Sequence, residues 1–188
     1  MAALLTGKVA VVTGAGRGVG REIAGRLAAH GAQVALVARS TDQLQETERL
    51  IAESGGSACS IPADVSTAAG VGLISDRVAH GLGRVDILVN AAGVFGPIQM
   101  IKDSDPDRWI ETLTINTVGP YRLCRLFIGD MIEAGWGRIV NILASTVYQP
   151  IDNLVTSGVT RMGAVAYAKS LADEVGRDNI LVNNVCPG

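Results

Sequence analysis

Glycines 14, 16, 18 and 20 follow a short apolar run over residues 9–12 and precede Ile23, Ala24, Leu27 and Ala28 at helical spacing. A buried strand, a glycine turn and a helix in that order form a setting in which glycines can do chemistry. Gly14, Gly18 and Gly20, with Val19 in the same turn, let the main chain bend sharply and approach a pyrophosphate. The helix that opens there directs free N–H groups and the positive end of its dipole at the anion. A second apolar run over residues 33–37 completes a βαβ unit, so the spacing predicts a dinucleotide site rather than a bare turn.

The next charged positions bear on which dinucleotide. An NAD-preferring site of this kind places an acidic residue just after the second strand, where it holds the ribose 2′-hydroxyl. Here positions 38 and 39 are Ala38 and Arg39, and Arg17 stands in the glycine turn. Two guanidiniums can grip a 2′-phosphate through several donors at once. The pattern predicts NADP(H) in preference to NAD(H).

These groups need a scaffold, and the rest of the chain reads as one. Strands are predicted at about 8–12, 33–37, 57–61, 86–90, 138–143 and 180–185, with helices at about 18–30, 40–54, 67–80, 106–133 and 154–176. Gly31 and the pair Gly55-Gly56 supply helix stops, and Gly135-Trp136-Gly137 breaks the long fourth helix. Strict alternation of strands and helices predicts an α/β, three-layer Rossmann fold, a parallel doubly wound sheet with helices on both faces. Residues 1–188 form a single domain with no linker, repeat or low-complexity segment.

Composition excludes several classes. The net charge of −2 gives no basis for a nucleic-acid or anionic-membrane partner. No run of about eighteen apolar residues exists, as a spanning helix would need. Cys59, Cys124 and Cys186 are scattered and odd in number, which fits reduced, buried thiols and not a disulfide frame. The opening residues, Met1 to Lys8, lack the basic and long apolar parts of a signal peptide, so a cytoplasmic protein is expected. No Cys/His/Asp cluster has metal-ligand spacing.

Thr13-Gly14-x-x-x-Gly18-x-Gly20, together with Asn90-Ala91-Ala92-Gly93, resembles the short-chain dehydrogenase/reductase family. The resemblance implies that Asp64 and Val65 hold adenine. It also implies that the segment from Asn90 through Ala91 to Gly93 steadies the sheet and lets the backbone run close to the cofactor. It further implies that Asn116 positions a water in a proton relay. An asparagine inside a helix is unfavourable by propensity and invites a reason, a bond to a neighbouring carbonyl being the simplest. At the far end Pro187-Gly188 matches the family turn that lies by the nicotinamide. Relatives form homodimers and homotetramers, and the same is expected here by analogy.

The match fails at the catalytic centre. The family expects a serine after strand five and a Tyr-x-x-x-Lys on the following helix. An ungapped reading places Ala144, Ser157 and Arg161 at those positions, with Ser145 beside the first. Ser157 and Arg161 are i,i+4 and share a helix face. Arg161 can bind ribose and supply charge but cannot readily exchange a proton. Ser157 has no phenol to be tuned toward working pH. Tyr148, on the loop after strand five, is an alternative acid. Tyr167 lies roughly 15 Å further along the helix. His30 and His80 sit at helix ends and read as carbonyl caps, which argues against a serine hydrolase.

Two functions stay open. One is an NADP(H)-dependent oxidoreductase for a small carbonyl or alcohol substrate, as in 3-oxoacyl reductases, with Asn116, Ser145, Ser157 and Arg161 orienting the oxygen. The other is a cofactor-binding homologue with little catalysis, acting as a sensor or structural subunit. The family's substrate-covering segment and last strand have no counterpart before Gly188.

Overall fold

The computed structural model describes residues 3–188; Met1 and Ala2, which open the segment read above for a leader, lie outside them. Six strands form one parallel sheet in the order β3-β2-β1-β4-β5-β6. They are β1 (Val9–Thr13), β2 (Gln33–Ala38), β3 (Ser57–Pro62), β4 (Ile87–Asn90), β5 (Gly137–Ile142) and β6 (Ile180–Val185). The order reverses between β1 and β4, and a crevice opens at such a switch point beyond the strands' carboxyl ends.

Side chains alternate along β1. Val9 and Val11 join a core with Ile74 and Val78 of α3 (Ala68–Gly81) and Leu123, Phe127 and Met131 of α5 (Gly119–Ala134). Ala10 and Val12 join the opposite core with Ala24 and Ala28 of α1 (Gly18–Ala29) and Leu44 and Ile51 of α2 (Thr41–Glu53). Helices thus cover both faces, as predicted. Toward β6 the second face is barer: Leu181 and Val185 are each 47% exposed. The remaining helices are α4 (Pro106–Leu113) and α6 (Val155–Val175).

Local chemistry explains the boundaries. Ser40 caps α2 by accepting from the Gln43 N–H, and Thr67 caps α3 by accepting from that of Gly70. Helix α3 ends at His80-Gly81, as predicted, with Leu82 as its cap and Gly83 at φ +86° just beyond. The fourth predicted helix is α4 and α5 joined by a π-helical turn, Thr114–Val118, which the sequence did not announce.

Asp86, just before β4, ties two strands together. Its Oδ2 accepts from the Val9 N–H at 3.0 Å, and its Oδ1 accepts from Lys8 Nζ at 2.9 Å and Arg84 Nη2 at 3.1 Å. Burial works against the carboxylate, but these donors outweigh it and hold its pKa below the ordinary 3.8. The three cysteines are free thiols; only Cys124 is buried, while Cys59 and Cys186 are half-exposed, one on the edge strand β3 and the other just past the edge strand β6.

Candidate active site

A cleft of about 560 Å³ opens over the switch point. Gly14, Arg17, Gly18, Val19, Gly20, Arg39, Asp64, Val65, Ala91 and Gly93 all line it, so most of the sequence-predicted cofactor residues converge. Ser40 and Gln43 line it as well, and the sequence reading had not assigned them a part there.

The glycine turn is built for close approach. Gly14 takes φ +67°, and a Cβ there would lie 2.8 Å from the Ala91 carbonyl oxygen. A Cβ on Gly20 would lie 2.3 Å from the Gly14 oxygen, so α1 could not pack against this turn with a larger residue. Around Gly18, at φ +56°, a Cβ would meet nothing within 4 Å, which leaves the main chain open to a ligand. Arg17 occupies the N-cap of α1 without capping it through its side chain. The first N–H groups of α1 are therefore available to an anion.

Arg17 and Arg39 are exposed, and among the described residues neither guanidinium forms an ion pair within 4 Å. Asp64 is half-buried across the cleft. Burial would raise its pKa, but the hydroxyl and N–H of Ser66 and the nearby charge of Arg39 hold it below the carboxylate range. The Ser66 contacts are 2.7 and 2.9 Å. Asp64 thus brings a negative charge to the cleft wall.

The loop after β4 is fastened from both sides. The Thr13 hydroxyl accepts from the Ala91 and Ala92 N–H groups at 3.0 Å each. Asn116 holds Val94 by both main-chain groups: its Oδ1 accepts from the Val94 N–H and its Nδ2 donates to the Val94 carbonyl, each at 2.9 Å. Its other N–H reaches Thr160 Oγ1 at 3.0 Å. The Asn116 amide therefore positions the loop, with both donors engaged, and the π-helical turn aims it there. Asn90 does not line the cleft. Its Nδ2 donates to Asn141 Oδ1, and Asn141 donates to Asn184 Oδ1, both at 2.9 Å, along the register Asn90↔Asn141↔Asn184.

Pro187, Gly188, Asn116, Ser145, Ser157 and Arg161 do not line the cleft wall either. The chain end approaches Ser145, whose N–H donates to the Pro187 carbonyl at 2.8 Å. The Ser157 side chain is fully buried, and its Oγ has no protein partner. Arg161 is 8% exposed; its Nη1 makes one long bond to the Ile142 carbonyl, at 3.4 Å, and its Nε has no partner. Burial lowers its pKa, and the Cys186 sulfur acts in the opposite sense. A Cβ on Gly93 would lie 3.0 Å from Arg161 Nη2, so the guanidinium backs the cleft wall.

The alternative tyrosines separate. Tyr148 is 81% exposed on its loop. The Tyr167 hydroxyl donates to Asn141 Oδ1 at 3.2 Å, and burial, reinforced by Cys124, raises its pKa above the usual phenol range. His80 Nδ1 bonds the Asp76 carbonyl at 2.7 Å inside its helix, as a capping histidine does. Lys169 is exposed. Among the described residues no group of acidic, histidine and cysteine side chains could hold a metal, and no helix is long and apolar enough to cross a membrane.

Residues 8–188 match the profile of the short chain dehydrogenases. The chain belongs to this family. It is 36% identical over 185 residues to D-threitol dehydrogenase of Mycolicibacterium smegmatis, a match spanning 97% of this chain and 70% of that one. A metagenomic short-chain oxidoreductase solved with NADP superposes with a TM-score of 0.93 at 36% identity, over 98% of this chain and 83% of the other. An NAD+-bound xylitol dehydrogenase does so at 0.93 and 32%, over 98% and 71%. The family thus includes members seen with either cofactor.

Proposed function

We propose that this chain is an NADP(H)-dependent oxidoreductase that interconverts a small-molecule carbonyl and alcohol. The observation that carries the reading is the cleft: a glycine cradle that a Cβ would fill, an uncapped helix N-terminus, and two guanidiniums that line the same cleft as Asp64. These residues fit a dinucleotide carrying a 2′-phosphate. The N–H groups of α1 would hold the diphosphate, Arg17 and Arg39 the 2′-phosphate, and Asp64 and Val65 the adenine. When bound, the nicotinamide supplies or accepts the hydride. Asn116 keeps the Gly93–Val94 main chain in place beside it, and Arg161 contributes positive charge behind Gly93. Ser145, next to Pro187, is a half-exposed hydroxyl that would help orient the substrate oxygen.

The absence of a tunable acid favours a second reading, a cofactor-binding homologue with slow turnover. Ala144 has no hydroxyl, Ser157 is sealed from the cleft, and Arg161 does not exchange protons near neutrality. Fluorescence titration with NADPH and with NADH, followed by a turnover screen over aldehydes, ketones and sugar alcohols, separates the two. NADPH binding with turnover supports the first, NADPH binding without turnover the second, and no binding of either nucleotide removes both. Exposed Tyr121 on α5 and Val159 and Met162 on α6 support self-association into a homodimer or homotetramer, which light scattering on the eluting protein measures.

A further inference from the structure

We infer that Thr47, together with Arg21, is a positioning residue that locks the glycine turn with its main-chain N–H groups toward the cleft; that a dinucleotide uses those groups rests on the reading above. Thr47 lies on α2, outside the cleft wall, and is fully buried. Its Oγ1 accepts from Arg21 Nε at 3.0 Å. Its single proton stands among three carbonyl oxygens, those of Gln43 at 2.9 Å, Ala15 at 3.0 Å and Gly16 at 3.4 Å. A helical threonine ordinarily bonds back only to its own helix, as Thr47 does to Gln43. Here the same hydroxyl also reaches the turn after β1. Arg21 Nη2 donates to the Gly16 carbonyl as well. One residue of α1 and one of α2 thus hold two successive carbonyls of the turn.

The direction of those carbonyls gives the clamp its function. A trans peptide is planar, so its C=O and the N–H that follows point opposite ways. With the Ala15 and Gly16 carbonyls drawn toward Arg21 and Thr47, the Gly16 and Arg17 N–H groups face away from them. The two sides of the turn are different cavities. Gly16 and Arg17 line the cleft, whereas Arg21 and Thr47 line a groove of about 290 Å³ between α1 and α2. The clamp therefore stands behind the turn and the donors in front of it, where successive N–H groups make a concave site for an anion. The turn cannot roll back toward α2, because a Cβ on Gly16 would already lie 3.0 Å from Gln43 Cβ. The diphosphate is common to NADPH and NADH, so this clamp serves both nucleotides equally, unlike a contact to the 2′-phosphate.

The test uses the whole chain with Thr47→Val, which matches the side chain's shape without its hydroxyl, and Thr47→Ser, which keeps the hydroxyl. Calorimetry measures the binding of NADPH and of NADH, and 15N relaxation gives the order parameters of the Gly16 and Arg17 amides in the free chain. Expected in T47V are a loss of about tenfold for both nucleotides, the scale of one buried hydrogen bond, and lower order parameters at both amides. T47S should stay within about threefold of the wild type, since its hydroxyl can make the same bonds. Arg21→Met, altered at a half-buried position, should repeat the T47V pattern and takes its place if T47V does not fold. Unchanged nucleotide affinity in the folded variant overturns the inference, and so do order parameters that do not move. A T47S as weak as T47V also overturns it, as does a loss confined to NADPH, which would point to the 2′-phosphate. A wild-type chain that binds neither nucleotide removes the dinucleotide reading; lower order parameters in T47V then still uphold the clamp, and unchanged ones overturn it.

Discussion

A Cβ on Gly14 would stand 2.8 Å from the carbonyl oxygen of Ala91. The glycine turn and the loop after β4 are therefore one unit, pressed together across the switch point. Gly14 also takes φ +67°, where an L side chain is strained by about 1–2 kcal/mol. Overpacking adds about 1–3 kcal/mol. Gly14→Ala is expected to lower Tm by about 5–15 °C, given about 2–4 °C per kcal/mol at this size, and to abolish NADPH binding. Calorimetric melting and a nucleotide titration check both.

On the proposed reading, Arg17 and Arg39 set the nucleotide preference. Each guanidinium would make a charge-assisted bond of about 1.5–3 kcal/mol to a 2′-phosphate. Arg39→Ala is expected to weaken NADPH about 10–100-fold while changing NADH by less than about threefold. Arg39→Asp restores the acidic residue that holds a ribose 2′-hydroxyl and should turn the preference toward NADH. Equal losses for both nucleotides in R39A would place Arg39 outside the 2′-phosphate site.

Asn116 grips Val94 by both main-chain groups. Asn116→Ala leaves that N–H and carbonyl without side-chain partners, at about 1–3 kcal/mol for each buried group so orphaned. A loss of about 2–4 kcal/mol in urea unfolding is expected, with faster exchange of the Val94 amide hydrogen. Asn116→Asp should recover little, since a carboxylate keeps the acceptor and loses the donor.

The strands and helices were legible because apolar periodicity and glycine stops are local signals. Boundaries moved where a competing local feature won, as when a π-helical turn divided the fourth predicted helix into α4 and α5. The glycine turn that lines the cleft was legible for the same reason: Gly14, Arg17, Gly18 and Gly20 fall in one short run of the chain. What was hidden depended on register and distance. Asn116 was visible as an oddity, but its partner Val94 lies 22 residues away and is reached through a π-helical turn. The Asn90–Asn141–Asn184 ladder exists only once three strands are aligned. The unpaired state of Arg161 could not be read from its spacing to Ser157, because it is set by what β5 and Gly93 bring to it.

Asp86 makes stability depend on pH in a defined direction. Its folded pKa lies below 3.8, so the stabilisation it gives is fully present above that ordinary value. It is lost as pH falls from 3.8 through the folded value, where protonation breaks its bonds to the Val9 N–H, Lys8 and Arg84. Asp86→Asn should be less stable than wild type at neutral pH by a constant margin. That margin should shrink only below 3.8, as urea unfolding of both proteins across the acid range would register. A margin that shrinks at higher pH would mean another group carries the dependence.

Ala144, Ser157 and Arg161 occupy the positions of the acid-base machinery that the family resemblance implies, and none of them moves a proton near neutral pH. Ala144→Ser, Ser157→Tyr and Arg161→Lys together would supply a hydroxyl, a phenol and an ammonium that lowers the phenol's pKa. General acid-base catalysis is worth about 10²–10⁴-fold, so the triple variant should raise kcat for a carbonyl substrate by that order. The gain has a structural cost, since the Ser157 site is fully buried and a tyrosine there overpacks it by about 1–3 kcal/mol. Steady-state NADPH oxidation and a melting curve on the same variant measure both sides. A higher kcat with a lower Tm is the expected pair. A stable triple variant no faster than the wild type would mean that proton supply already comes from elsewhere, with Ser145 the first residue to substitute.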